Sequence, residues 1–156
     1  MELSGEQVIP VARVEVWKML NDPEVLRLCI PGCTELSGSP EQGFTATVKQ
    51  AIGPVKATFS AEITLSNVNP PEGYTISGSG KGGVAGFAKG GADVRLDEVE
   101  AGTRLTYEVK AQVGGKLAQL GSRLIVSTAK KLAAQFFANF EAHVRAGAET
   151  ARHAES

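Results

Sequence analysis

Residues 55 to 65 read Val55-Lys56-Ala57-Thr58-Phe59-Ser60-Ala61-Glu62-Ile63-Thr64-Leu65, apolar at every odd position and polar at every even one. Successive side chains of a strand point to opposite faces, so this alternation predicts a β-strand with one dry face and one wet face. The same period runs outward in both directions. Before it come Phe44, Ala46, Val48 and Ile52. After it come Tyr74, Ile76, Gly78 and Gly80, then Ala88, Gly90, Ala92, Val94 and Leu96, then Leu105, Tyr107, Val109, Ala111 and Val113. The connectors Gly53-Pro54, Asn69 to Gly73, Gly82 to Gly86 and Glu100-Ala101-Gly102 are short and rich in breakers, which predicts antiparallel hairpins instead of helical crossovers.

An unusual share of the dry face is Ala or Gly, including Ala46, Ala57, Ala61, Gly78, Gly80, Ala88, Gly90, Ala92 and Ala111. Interiors reach crystal-like density by filling such positions with larger side chains. Either a helix packs closely against the small residues, or a cavity remains, and an apolar cavity with few polar groups is where a hydrophobic small molecule binds.

The flanks supply the covering elements. Residues 2 to 8 read as a first strand. Pro10 suits the first turn of a helix running to about Asn21, and Asp22-Pro23 has cap and N1 chemistry for a second short helix ending at Pro31-Gly32. A short strand follows from Cys33 to about Ser37. From Lys116 to Ala146 only Gly121 interrupts a helical pattern, and the predicted helix, at about 1.5 Å per residue, is long enough to cross a whole domain. Its apolar arc drifts from Leu117, Leu124 and Thr128 to Leu132, Phe136 and Phe140, which requires a curved sheet wrapped around it. The aromatic residues fill the later half, so free space is expected under the early half. The fold read from this order is α+β: a seven-stranded curved antiparallel sheet around a long C-terminal helix, with two short helices after the first strand. One domain spans residues 1–146, and residues 147–156 form a polar tail.

The expected cavity is lined by Phe59, Ala61, Tyr74, Ile76, Gly78, Gly90, Ala92, Tyr107, Leu120, Leu124 and Thr128. Its mouth falls among Gly53, Pro54, Gly82, Gly83, Gly86, Phe87, Gly114 and Gly115, since these connectors lie two strands apart and so share one end of the sheet. The glycine loop either serves a hairpin needing positive φ or forms a mobile lip. Gln135, Asn139 and His143 recur every fourth residue and share one helix edge. That edge is either a solvated border or, turned inward, a source of polar ligand contacts through Gln135 and Asn139. Tyr74 and Tyr107 pose the same choice between a backbone partner and a ligand carbonyl.

Other chemistry is disfavoured. A formal charge of −1 offers no footprint for nucleic acid. Cys29 and Cys33 lack two further ligands for zinc and are one residue too far apart for a redox pair, so they read as small residues beside a turn. Gly78-Ser79-Gly80-Lys81-Gly82-Gly83 has the letters of a dinucleotide fingerprint, but a strand follows where the fingerprint needs a helix. No metal or cofactor is expected apart from a bound quinone or lipid. No signal peptide or membrane-spanning stretch is read, and a cytoplasmic location is expected.

Five stretches carry a resemblance: Asp22 to Leu26, Cys29 to Cys33, Gly53 to Phe59, Gly80 to Gly83 with Gly86 to Gly90, and Gln112 to Ile125. Together they resemble the family of the carbon monoxide dehydrogenase G subunit, CoxG, of the START and Bet v 1-like (SRPBCC) superfamily. The resemblance implies a helix-grip fold, an apolar cavity under the long helix and an accessory role beside a molybdenum-containing carbon monoxide dehydrogenase or related hydroxylase. It further implies recruitment of that enzyme to the inner face of the cytoplasmic membrane, through peripheral contact, or delivery of a quinone. The competing expectation is a cyclase or dehydratase using the cavity as an active site. Such an enzyme needs a general acid or base inside, and the inward positions offer only the two tyrosines, with ordinary pKa near ~10.

Overall fold

Each alternating run is a strand in the computed structural model, which describes the backbone of residues 1–155 and the side chains of residues 1–147. β1 (Glu2–Ile9) leads into α1 (Arg13–Leu20) and α2 (Pro23–Cys29), then β2 (Cys33–Ser39) and β3 (Gly43–Ile52). β4 (Val55–Asn69), β5 (Gly73–Lys81), β6 (Phe87–Val99) and β7 (Gly102–Gly114) follow, before α3 (Lys116–Gln119) and α4 (Ser122–Glu155). The strands form one antiparallel sheet in the order β1-β7-β6-β5-β4-β3-β2. This is the α+β helix-grip architecture.

Two local expectations are corrected. Pro10 precedes α1 instead of opening it: the carbonyl of Val11 is taken by the buried Thr103 hydroxyl at 2.8 Å, so helical hydrogen bonding begins at the carbonyl of Ala12. The long helix is not continuous from Lys116. Gly121 adopts φ +91, a left-handed conformation that ends the single turn of α3 and lets α4 start afresh at Ser122. The backbone of α4 then runs through the segment read as a tail, to Glu155, and the side chains of that segment from residue 148 onward lie outside the described residues. The α2 cap forms as its sequence requires, the Asp22 carboxylate accepting from the Glu24 backbone N–H at 2.9 Å.

The close-packed core sits at one end. Ile9, Val16, Leu20, Val25, Cys29, Tyr74, Leu96, Leu105, Phe140 and Val144 join the far end of β1, both short helices and the later part of α4. Register places the hairpin tips Gly53-Pro54 and Gly82 to Gly86 and the end of β7 together at the opposite end, Ile52 facing Val55 and Phe87 bridging Lys81 and Gly114. The closest approaches of α4 are to α2, β1 and β3. Its bulk is therefore held off the middle strands, where the small residues lie.

Candidate functional site

An apolar cavity of about 360 Å³ lies between the sheet, the two short helices and the stretch of α4 from Ala129 to Phe137. The strands contribute Leu3, Phe44, Ile63, Leu65, Tyr74, Ile76, Ala92, Val94, Leu105, Tyr107 and Val109, and Met1 joins them just ahead of β1. The helices contribute Leu20, Leu26, Ala129, Ala133, Phe136 and Phe137, and Ile30 joins them from the cap that ends α2. A trough of about 340 Å³ continues it along the dry face toward the glycine-loop end, over Ala61, Gly78, Gly80, Ala88, Gly90 and Ala111, with no helix residue in its lining. The two share Ile63, Ile76, Ala92 and Val109. A larger recess of about 680 Å³ opens on the wet face among Glu2, Glu62, Lys89 and Lys110. Its polar walls do not suit an apolar ligand, so the dry cavity is the candidate site.

The space comes from residue size. A β-carbon placed on Gly78 would meet nothing nearer than the Glu62 carbonyl oxygen at 3.5 Å, and one on Gly80 only the Phe59 side chain at 4.0 Å. Gly90 differs, because its added carbon would collide with the Lys110 carbonyl. On the opposite wall, Ala129 and Ala133 are one helical turn apart and present only methyl groups, beside Phe136 and Phe137. Tyr107 stacks on Phe137 with ring centres 5.6 Å apart, and its hydroxyl lies over Gly5, its register partner. The Trp17 ring meets Tyr74 edge-on at 5.2 Å. Burial pushes the Tyr74 phenol well above its ordinary range, so it stays protonated and can only donate a hydrogen bond or accept one as a neutral group.

Of the residues expected to line a cavity, Tyr74, Ile76, Ala92 and Tyr107 meet in the cavity, and Ala61, Gly78 and Gly90 in the trough. Phe59 stands at the loop end, where a β-carbon on Gly82 would come within 2.6 Å of its ring. Leu124 lies against Gly53, and neither Leu124, Leu120 nor Thr128 lines the cavity or the trough. The helix residues over the cavity run from Ala129 to Phe137, beyond the Leu120, Leu124 and Thr128 stretch where free space was expected, because the aromatic rings there roof the space instead of filling it. Asn139 is committed elsewhere: its side-chain amide donates to the Cys29 carbonyl at 3.0 Å, tying α4 to the end of α2. Gln135 is exposed.

The eight positions expected at the mouth, Gly53, Pro54, Gly82, Gly83, Gly86, Phe87, Gly114 and Gly115, share one end of the sheet, and none of them lines the cavity or the trough. The glycine loop is built: Gly82 N–H donates to the Gly86 carbonyl at 2.8 Å, Ala85 is buried, and Gly83 and Gly86 take positive φ. Sequence reasoning missed Ala133 and Phe137, which the four-residue spacing Ala129-Ala133 would have placed on the inner helix face. It also missed Leu20, Leu26 and Ile30, which reach the site only through the docking of α1 and α2.

Residues 5–145 match the family of the carbon monoxide dehydrogenase G subunit (CoxG). The chain is similar to a conserved protein from Geobacillus kaustophilus, 32% identical, with a TM-score of 0.87 over 93% of this chain and 95% of that one. It shares its fold with a Rhodobacter sphaeroides protein (16% identity, TM-score 0.68, 93% of each chain). It also shares it with Ara h 8.0201 (15% identity, TM-score 0.63, 94% of this chain and 98% of that one). No curated protein matches the chain.

Proposed function

The chain belongs to the CoxG family, that of the carbon monoxide dehydrogenase G subunit, and on that premise we propose that it is a non-catalytic accessory protein that binds a quinone or another lipid-like molecule. In this reading it serves a molybdenum-containing carbon monoxide dehydrogenase or related hydroxylase at the inner face of the cytoplasmic membrane, by delivering the quinone or by recruiting the enzyme. The observation that carries the reading is the lining of the cavity. It contains no Asp, Glu, Lys or His, and its only ionisable side chains are Tyr74 and Tyr107. The one other ionisable group there, the amino terminus of Met1, is engaged at 2.8 Å by the Ala111 carbonyl. Tyr74 is held protonated by burial, and the cavity lining offers no carboxylate, imidazole or amine side chain as a base for a cyclase or dehydratase, the one charged side chain bordering the trough being Lys89. An elongated apolar guest fits an apolar cavity that continues into a trough, whereas a compact polar substrate would find almost no hydrogen-bond partner.

The test is solvent extraction and mass analysis of the protein purified from its own host, followed by titration of the emptied protein with a long-chain quinone. Recovery of an apolar molecule that rebinds supports the reading. An empty protein that no quinone or lipid enters removes it.

A further inference from the structure

The net charge of −1 conceals a segregation. Residues 49–58, 79–89 and 111–125 all reach the glycine-loop end, and their charged residues are Lys49, Lys56, Lys81, Lys89, Lys116 and Arg123, while all 17 acidic residues lie in other segments. The nearest acid in register, Glu62 opposite Ser79, shares the wet face with Lys89, also opposite Ser79, and forms no ion pair with it. These six cations are exposed, and among the described residues none of them forms an ion pair, whereas Arg13, Lys18, Arg27, Arg95, Arg104 and Arg145 do. In their midst the loop holds Val84 85% exposed and Phe87 43% exposed. The valine is presented by a fixed turn, since Ala85 beneath it is buried and the Gly82–Gly86 hydrogen bond closes the loop.

An apolar tip ringed by lysines without acidic partners matches the boundary layer of an anionic bilayer, where the tip enters the headgroup region and each cation gains attraction to lipid charge. We propose that the glycine-loop end is a docking surface for anionic phospholipid membrane. The surface stands on its own observations. Its consequence, that the trough faces the bilayer and exchanges its guest there, rests on the carrier reading above.

The test is co-sedimentation of the full chain with vesicles of phosphatidylcholine alone or mixed with phosphatidylglycerol, at low and physiological ionic strength. The protein should bind the anionic vesicles only, more weakly as salt rises. Combined Lys56→Glu, Lys81→Glu and Lys116→Glu should weaken binding more than about tenfold. Val84→Ser should weaken it several-fold while keeping the anionic preference. Lys18→Glu with Lys130→Glu and Lys131→Glu makes the same change in net charge and should act far less. No binding to anionic vesicles, equal loss in the control triple, or association only with an acidic protein overturns the proposal. Quinone titration without vesicles separates the two readings. Vesicle binding without quinone binding keeps the docking surface and removes the carrier, and quinone binding without vesicle binding does the reverse.

Discussion

Ala92 lines both the cavity and the trough, so Ala92→Phe sets a ring at their junction. In a close-packed core an enlargement of this size costs about 1–3 kcal/mol through displaced neighbours. Here about 360 Å³ on one side and about 340 Å³ on the other can receive the ring without displacement. The expected cost is therefore below about 1 kcal/mol, which for a chain of this length is a fall in melting temperature of no more than about 4 °C. The same ring removes the guest's space, so quinone affinity should fall by more than about tenfold, or ~1.4 kcal/mol. Trp17 reports binding, because it is the only tryptophan and its ring touches Tyr74 in the cavity wall. Phe140→Ala calibrates the melting scale. Phe140 is fully buried in the close-packed end, and its loss should cost about 3–5 kcal/mol, or roughly 6–20 °C. If Ala92→Phe melts as low as Phe140→Ala, the site is already filled and the reasoning fails. If it melts normally and binds quinone as well as the parent, the guest lies elsewhere.

Tyr74→Phe keeps the aromatic volume, and quinone affinity should stay within about threefold if the cavity grips mainly by apolar contact. The same variant carries a pH signature. Burial raises the Tyr74 pKa in the folded state, so the parent's stability is full below the unfolded phenol's value near ~10 and is lost as pH climbs beyond it. The variant should show a flatter alkaline limb in melting scans, and superimposable limbs would contradict the buried phenol. Asn139→Ala should cost about 1–3 kcal/mol by leaving the Cys29 carbonyl without its donor, with quinone affinity unchanged; a selective loss of affinity would return Asn139 to the site. Gly5→Ala pushes a methyl into the Tyr107 hydroxyl and should lower both melting temperature and affinity. Tyr107→Phe in the same chain should restore part of both, and an absence of rescue would show that the hydroxyl is not the obstacle.

The sheet was legible because a period of two recurs in each run between Phe44 and Val113, and the hairpin connectors between the runs leave antiparallel neighbours as the simple topology. The dry-face part of the site was legible for the same reason, since Ala61, Gly78, Gly90 and Ala92 follow from parity alone. The helical wall was not. Drift of the apolar arc along α4 does not say which part faces the sheet, and that is decided by Phe140 and Val144 joining the same buried cluster as Ile9 and Val16, residues far apart in sequence. The role of Asn139 was hidden likewise. Its partner is a backbone carbonyl at the end of α2, which no side-chain pattern announces.

Gly78 and Gly80 have room for a methyl group, and within a strand an alanine there would normally stabilise the fold by about 0.4–1 kcal/mol through the unfolded chain. The vacancy along the dry face is thus held open at some expense in folding free energy. It also makes the depth of the trough a matter of one or two strand positions, adjustable without redesigning the helix. Gly78→Ala and Gly80→Ala would yield a sturdier protein with a shallower berth, so chains built on the same frame can sort guests by length through substitutions that leave every other contact in place.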